Sequence, residues 1–234
     1  MIKPSNIILV LLLFGIYSCK KDSPTELDMG YNYYPNNVGS RIIYDVDSII
    51  RDDFFEPIAI DTSVYQIKEV NESVYLDSEG RETMRIERYK RSNSTMPWVI
   101  KDIWYANRTA SMVERTEENI KYRKLVFPVR NDLSWNGNAA NIAEEWNCQY
   151  SDVNMPMTLG GIDFDSTLIV NQKDENLGNT YDYFQEGYAA GIGLVYKIGI
   201  HWEDTLINNT REQWEASSTK WGYHLHMTIN SSGN

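Results

Sequence analysis

Apolar and polar residues alternate along most of this chain with a period of two. That is the repeat of a β-strand, whose successive side chains point to opposite faces. Residues 221–229 are the clearest case: Trp221, Tyr223, Leu225, Met227 and Ile229 interleave with Gly222, His224, His226 and Thr228. In 41–50, Ile42, Tyr44, Val46 and Ile50 share one face, and Asp45 and Asp47 take the other. The stretch 98–105 is apolar on both faces, which predicts a central strand. Residues 63–70 and 83–89 read as strands crossing water-exposed surface, separated by a turn at Asp77, Ser78, Glu79 and Gly80.

Further along, 111–129 fits a hairpin turning at Glu117, Glu118 and Asn119. Strands are also predicted at 144–150, 162–170, 181–188 and 194–202, with a break at Asn154, Met155 and Pro156. The segment 130–140 is rich in Asn, Gly and Asp and reads as a loop. Short helices fit only 138–146 and 211–216. With roughly ten short strands and no long linker, the expected fold is mainly β. It is a single antiparallel curled sheet or barrel-like sandwich with one or two short helices. Strands apolar on both faces suit a sheet with one face on a core and the other lining a concavity.

The start of the chain breaks the pattern. Lys3 is followed by an unbroken apolar run at 7–14, then by Gly15 and Ser18 ahead of Cys19. Such a run is too short for a hydrocarbon core, which takes roughly 20 residues. A basic start, a short apolar run and small residues near a cut form the pattern of a secretory signal. The segment resembles bacterial lipoprotein signals, in which the cysteine thiol is acylated and becomes the new N-terminus. The expected organisation is a signal peptide at 1–18, a lipidated tether at 19–30 and a β-rich domain at 31–234. Cys19 is the expected lipid-attachment residue and the membrane the expected partner through it. The expected location is the bacterial cell envelope, lipid-anchored at the outer membrane.

The formal charge is −11, and Lys3 leaves with the signal, making the remainder more acidic by one. An acidic surface disfavours nucleic acid and anionic headgroups as partners. At 42% apolar and 12% aromatic, the chain is too rich in hydrophobes to be disordered. With Cys19 acylated, Cys148 has no intramolecular partner. Cys148 alternates with Trp146 and Tyr150 and reads as a small buried hydrophobe.

Candidate chemistry is sparse. His224 and His226 lie two apart on one strand face, so both rings could reach one metal, with a further ligand from His201, Glu203 or Asp204. Two surface histidines on a solvated strand are the simpler reading, and no metal or other cofactor is expected. Asp45 with Asp47, and Asp163 with Asp165, are same-face carboxylate pairs. They lack calcium-loop spacing, although a hydrolase could use facing carboxylates. Gly187, Gly191 and Gly193 precede a strand instead of following one, the wrong order for a dinucleotide fingerprint. No G-x-S-x-G elbow, Walker sequence or H-E-x-x-H occurs. Seven tryptophans could form a ligand platform; Trp135, in the Gly/Asn-rich loop, is the one expected to be exposed and the candidate ligand contact.

Three segments share a wider resemblance. They are 33–39 (YYPNNVG) leading into 44–49, Phe127-Pro128 leading into 135–138 (WNGN), and 161–167 (GIDFDST) with 191–197 (GIGLVYK). Together they resemble a group of uncharacterised lipoproteins of Bacteroidetes-type bacteria. The layout is also similar to the curled half-barrels of periplasmic lipoprotein carriers, at the level of fold alone. Two-faced strands, many aromatics and the absence of catalytic motifs make the expected function a non-enzymatic envelope lipoprotein that binds a hydrophobic or polymeric ligand in a curled-sheet concavity. The alternatives are a structural or assembly subunit contacting another envelope protein, and a carboxylate-dependent hydrolase.

Overall fold

A computed structural model describes residues 27–233. The expected signal segment and the expected lipid-attachment residue Cys19 lie outside the described residues. The described residues form twelve strands: β1 (Arg41–Asp52), β2 (Ala59–Leu76), β3 (Glu82–Arg91), β4 (Val99–Arg108), β5 (Met112–Glu117), β6 (Ile120–Val126), β7 (Ser134–Asn136), β8 (Asn147–Leu159), β9 (Ile162–Asn176), β10 (Thr180–Ala189), β11 (Gly193–Glu203) and β12 (Trp221–Gly233). One short helix, α1 (Arg211–Ala216), precedes β12.

All twelve strands belong to one sheet, in the order β6-β5-β4-β3-β2-β1-β12-β11-β10-β9-β8-β7. Every pairing is antiparallel. Two six-stranded meanders thus meet where β1 pairs with β12, and the sheet curls into a nearly closed barrel. The expected mainly β, single curled sheet is the observed fold.

The barrel closes without a ladder. Across the gap between β6 and β7/β8, the Tyr150 hydroxyl accepts from the Val126 amide and donates to the Val126 carbonyl, both at 2.8 Å. The Trp135 indole N–H donates to the Arg123 carbonyl at 2.9 Å. One backbone bond, Arg123 N–H to the Gly137 carbonyl, joins them at 2.8 Å. Side chains therefore satisfy edge groups that a neighbouring strand would otherwise take.

Register decides what faces inward. Val46 is level with Tyr65 on one side and Met227 on the other, and Tyr44 with Ile67. These positions, with Leu168, Val170, Leu194 and Tyr188, line the interior core. The segment before β1 plugs one end. Tyr33 and Tyr34 are buried, and the Tyr33 hydroxyl meets Asn154 at 2.6 Å and Ser166 at 2.8 Å. Arg108 donates to the Tyr34 carbonyl at 2.8 Å. Gly30 has φ 77°, and a Cβ there would lie 2.7 Å from Val129, so only glycine fits this entry.

A second, smaller core sits on the outer face. Trp214 of α1 is fully buried against Tyr181, Ile200 and Trp202. Thr210 and Gln213 form a capping box at the start of α1. The Lys220 ammonium donates to the carbonyls of Trp214, Glu215 and Ser217 at its end.

Several expectations are corrected. Residues 138–146 are turns, held by Asn136, whose side chain accepts from the amides of Asn138 and Trp146, and by Asn138 donating to Glu144. The stretch 98–105 is not central: β4 is third from an edge. It is apolar on both faces because Trp104 turns inward while Tyr105 packs on Tyr75 outside. The break at Asn154 is a bulged region within β8. Asp152 and Asn154 take positive φ, and the register shifts twice without ending the strand. Residues 63–70 and 83–89 are not merely surface strands, since each carries buried charge on its inner face.

Candidate functional site

The inner face near the end opposite the plug encloses a cavity of about 380 Å³. Its lining comes from β1–β6 and β9–β12, with Glu118 of the β5–β6 turn and Trp146 just before β8. Rings form an arc around it. Tyr122 and Trp146 lie 6.2 Å apart between centroids, Trp146 and Phe184 5.2 Å, and Phe184 and Tyr223 6.4 Å. The last two contacts are edge-on, a geometry that suits aromatic quadrupoles. Gly199 makes room for the arc, since a Cβ there would already touch the Phe184 ring at 3.4 Å. Val46, Ile67, Leu225 and Met227 supply an aliphatic wall.

Beneath the rings runs a continuous ionic network. Glu69 accepts from Arg88 at 2.9 Å and Arg115 at 2.6 Å. Arg88 also meets Asp102 at 3.0 Å, and Asp102 contacts Lys101. Lys101 lies 3.4 Å from Glu118. Arg115 lies 3.6 Å from Glu117, which also holds Lys124 at 3.3 Å and Lys197 at 3.2 Å. Glu186, wholly buried, takes Lys124 at 2.5 Å, Lys197 at 3.4 Å and the Tyr188 hydroxyl at 2.7 Å. The Arg88 and Arg115 guanidinium groups lie over the Trp104 ring, 3.4 Å and 4.7 Å from its centroid.

Burial opposes ionisation of Glu69, Glu117, Glu186, Arg115 and Lys124, and the opposing charges outweigh it. Arg115 and Arg88 hold Glu69 below the usual carboxylate range. Lys124 and Lys197 do the same for Glu117 and Glu186. Glu117 and Glu186 in turn hold Lys124 above the usual ammonium range. Glu69, Glu117, Glu186, Arg115 and Lys124 are therefore ions at neutral pH.

These residues are invisible to a search for solvated faces, yet a signal exists. Each lies two positions from an inward residue on its own strand: Glu69 after Ile67, Arg88 after Ile86, Arg115 after Val113, and Glu186 after Phe184. A charge in phase with hydrophobes marks a buried ion pair.

The sequence-derived candidates fall elsewhere. Trp135 is not exposed: it is 8% accessible, packed on Tyr150 at 4.5 Å, and serves barrel closure. His224 and His226 lie on the outer face, because their neighbours Tyr223, Leu225 and Met227 face inward. His201 is level with Tyr223 on the inner side, 2.7 Å from Asp182, and cannot join them. No group of three or more metal-ligating side chains occurs among the described residues. Asp45, Asp47, Asp163 and Asp165 are exposed on the outer surface, away from the cavity. Gly187 is a packing glycine, since a Cβ would lie 2.1 Å from the Tyr196 ring. Cys148 is buried and unpaired, and burial pushes its thiol up to about 12. No family model, curated protein or solved structure matches this chain.

Proposed function

We propose that this chain is a cell-envelope lipoprotein, tethered through Cys19, whose barrel binds a small ligand without transforming it. The observation that carries the reading is the cavity of about 380 Å³, with its aromatic arc, aliphatic wall and polar floor. Its size and mixed lining fall in the range of small-molecule sites, about 300–1,000 Å³. The cavity carboxylates support binding over hydrolysis. Glu117 and Glu186 are each committed to two lysines, which leaves neither available as a general base.

The tether reading rests on the sequence, in which residues 20–27 are a short, mostly polar stretch between Cys19 and the plug. The outer face carries charge where a membrane-spanning barrel would carry lipid-facing hydrophobes, for example Asp45 and Asp47 on β1 and Asp163 and Asp165 on β9.

Filling the cavity tests the binding reading. Leu225→Trp should abolish saturable quenching of tryptophan fluorescence by apolar ligands while leaving the circular dichroism spectrum intact. Equal quenching in both proteins rejects the cavity as the site. Mass spectrometry of the native N-terminus tests the anchor, and an uncut Met1 rejects it. An assembly role is the second reading. It is favoured by the β1–β2 loop, which projects Phe54, 86% accessible, and Phe55 beside exposed Ile60.

A further inference from the structure

We propose that the cavity selects an uncharged amphiphile and discriminates against both anions and cations, because its ionic floor is already balanced. This rests on the ligand-binding reading and narrows it to a ligand class. The floor holds five cations: Arg88, Lys101, Arg115, Lys124 and Lys197. Facing them are five carboxylates: Glu69, Asp102, Glu117, Glu118 and Glu186.

The cavity lining alone contains four of those cations and only Glu117 and Glu118 of the acids, the composition of an anion site. The carboxylates behind them reverse that. Arg88 meets Glu69 and Asp102, Lys101 contacts Asp102, and Lys124 and Lys197 both meet Glu186. No lining cation lacks a carboxylate partner.

A carboxylate or ammonium head would enter this floor without a counter-ion, in a site partly shielded from water. Burying an unpaired charge is strongly unfavourable. An uncharged hydroxyl head leaves the balance intact. It can accept from the Lys197 ammonium and donate to Glu117, the pair 3.2 Å apart at the floor. The tail then lies along the rings and the aliphatic wall.

The test is isothermal titration of the barrel with 1-decanol, decanoate and decylammonium at pH 7.5, below their aggregation concentrations. The three share one tail and differ in head charge. Decanol is expected to bind at least about tenfold more tightly than either ion. If either ion matches or exceeds it, the inference is overturned while the cavity reading stands. If none of the three binds in a manner sensitive to Leu225→Trp, both fall.

Charge variants then move the preference. Lys197→Met leaves the floor with one excess negative charge and should improve decylammonium relative to decanol by about tenfold. Glu117→Gln leaves one excess positive charge and should do the same for decanoate. An unchanged order in folded variants overturns the inference. Should Lys197→Met fail to fold, Lys101→Met makes the same charge change at a more exposed position.

Discussion

Tyr150 does with one hydroxyl what a neighbouring strand would do with a ladder, by holding both backbone groups of Val126. Tyr150→Phe leaves that amide and carbonyl unpaired. The expected loss is about 1–3 kcal/mol in urea denaturation, and a loss near zero shows that the closure is held elsewhere. Two positions away, Cys148 should resist Ellman's reagent in the native protein and react only on unfolding, because its thiol is pushed up to about 12 by burial. Fast native labelling contradicts this. In the ionic floor, Lys124→Met leaves wholly buried Glu186 facing only Lys197 at 3.4 Å. An expected cost of about 3–5 kcal/mol follows from the uncompensated charge. The pH dependence has a definite sign. Burial raises Glu69, Glu117 and Glu186, but the cations outweigh it and all three sit below their ordinary range. Their contribution is complete above the unfolded value of about 4.3 and is lost as pH falls below it. Lys124 is held above its ordinary value, so its contribution persists up to about pH 10 and fades only beyond. The urea midpoint should therefore be flat from pH 6 to 9 and fall below pH 4. A midpoint that rises on acidification refutes the assignment.

The strands were legible because period-two patterning is a local property. The hairpin expected at Glu117, Glu118 and Asn119 forms there, with Glu118 and Asn119 at positive φ. The helix expected at 211–216 is observed over those residues because its cap is local too. Other elements needed partners. Nothing in 138–146 shows that Asn136 gathers two amides and forbids the helix. The bulges of β8 depend on its register against β9. Trp214 illustrates the same limit, since its burial needs the outer faces of β10 and β11. Trp214→Ala should cost about 3–5 kcal/mol of stability. It should leave cavity binding unchanged, because α1 sits on the opposite side of the sheet. A variant that loses ligand affinity at unchanged stability contradicts that separation.

At the scale of the whole molecule, the concavity was foreseeable and its contents were not. Curling follows from many antiparallel strands and no second layer. The floor required knowing which strands stand opposite one another, because Lys124 of β6 reaches Glu186 of β10 across the interior. Trp135 shows the converse error: a loop composition that suggests exposure, on a residue recruited to the seam. The order of strands also bears on how the barrel comes into being. The join between the two meanders, β1 with β12, sits in the middle of the sheet and unites the most distant strands of the sequence. Neither half can bury its inner face until β12, which follows every other strand, has been delivered. Long-range pairings of this kind close slowly. Until β12 arrives, the edges of β1 and β11 that it pairs with stay open, so the barrel cannot lock before its final strand.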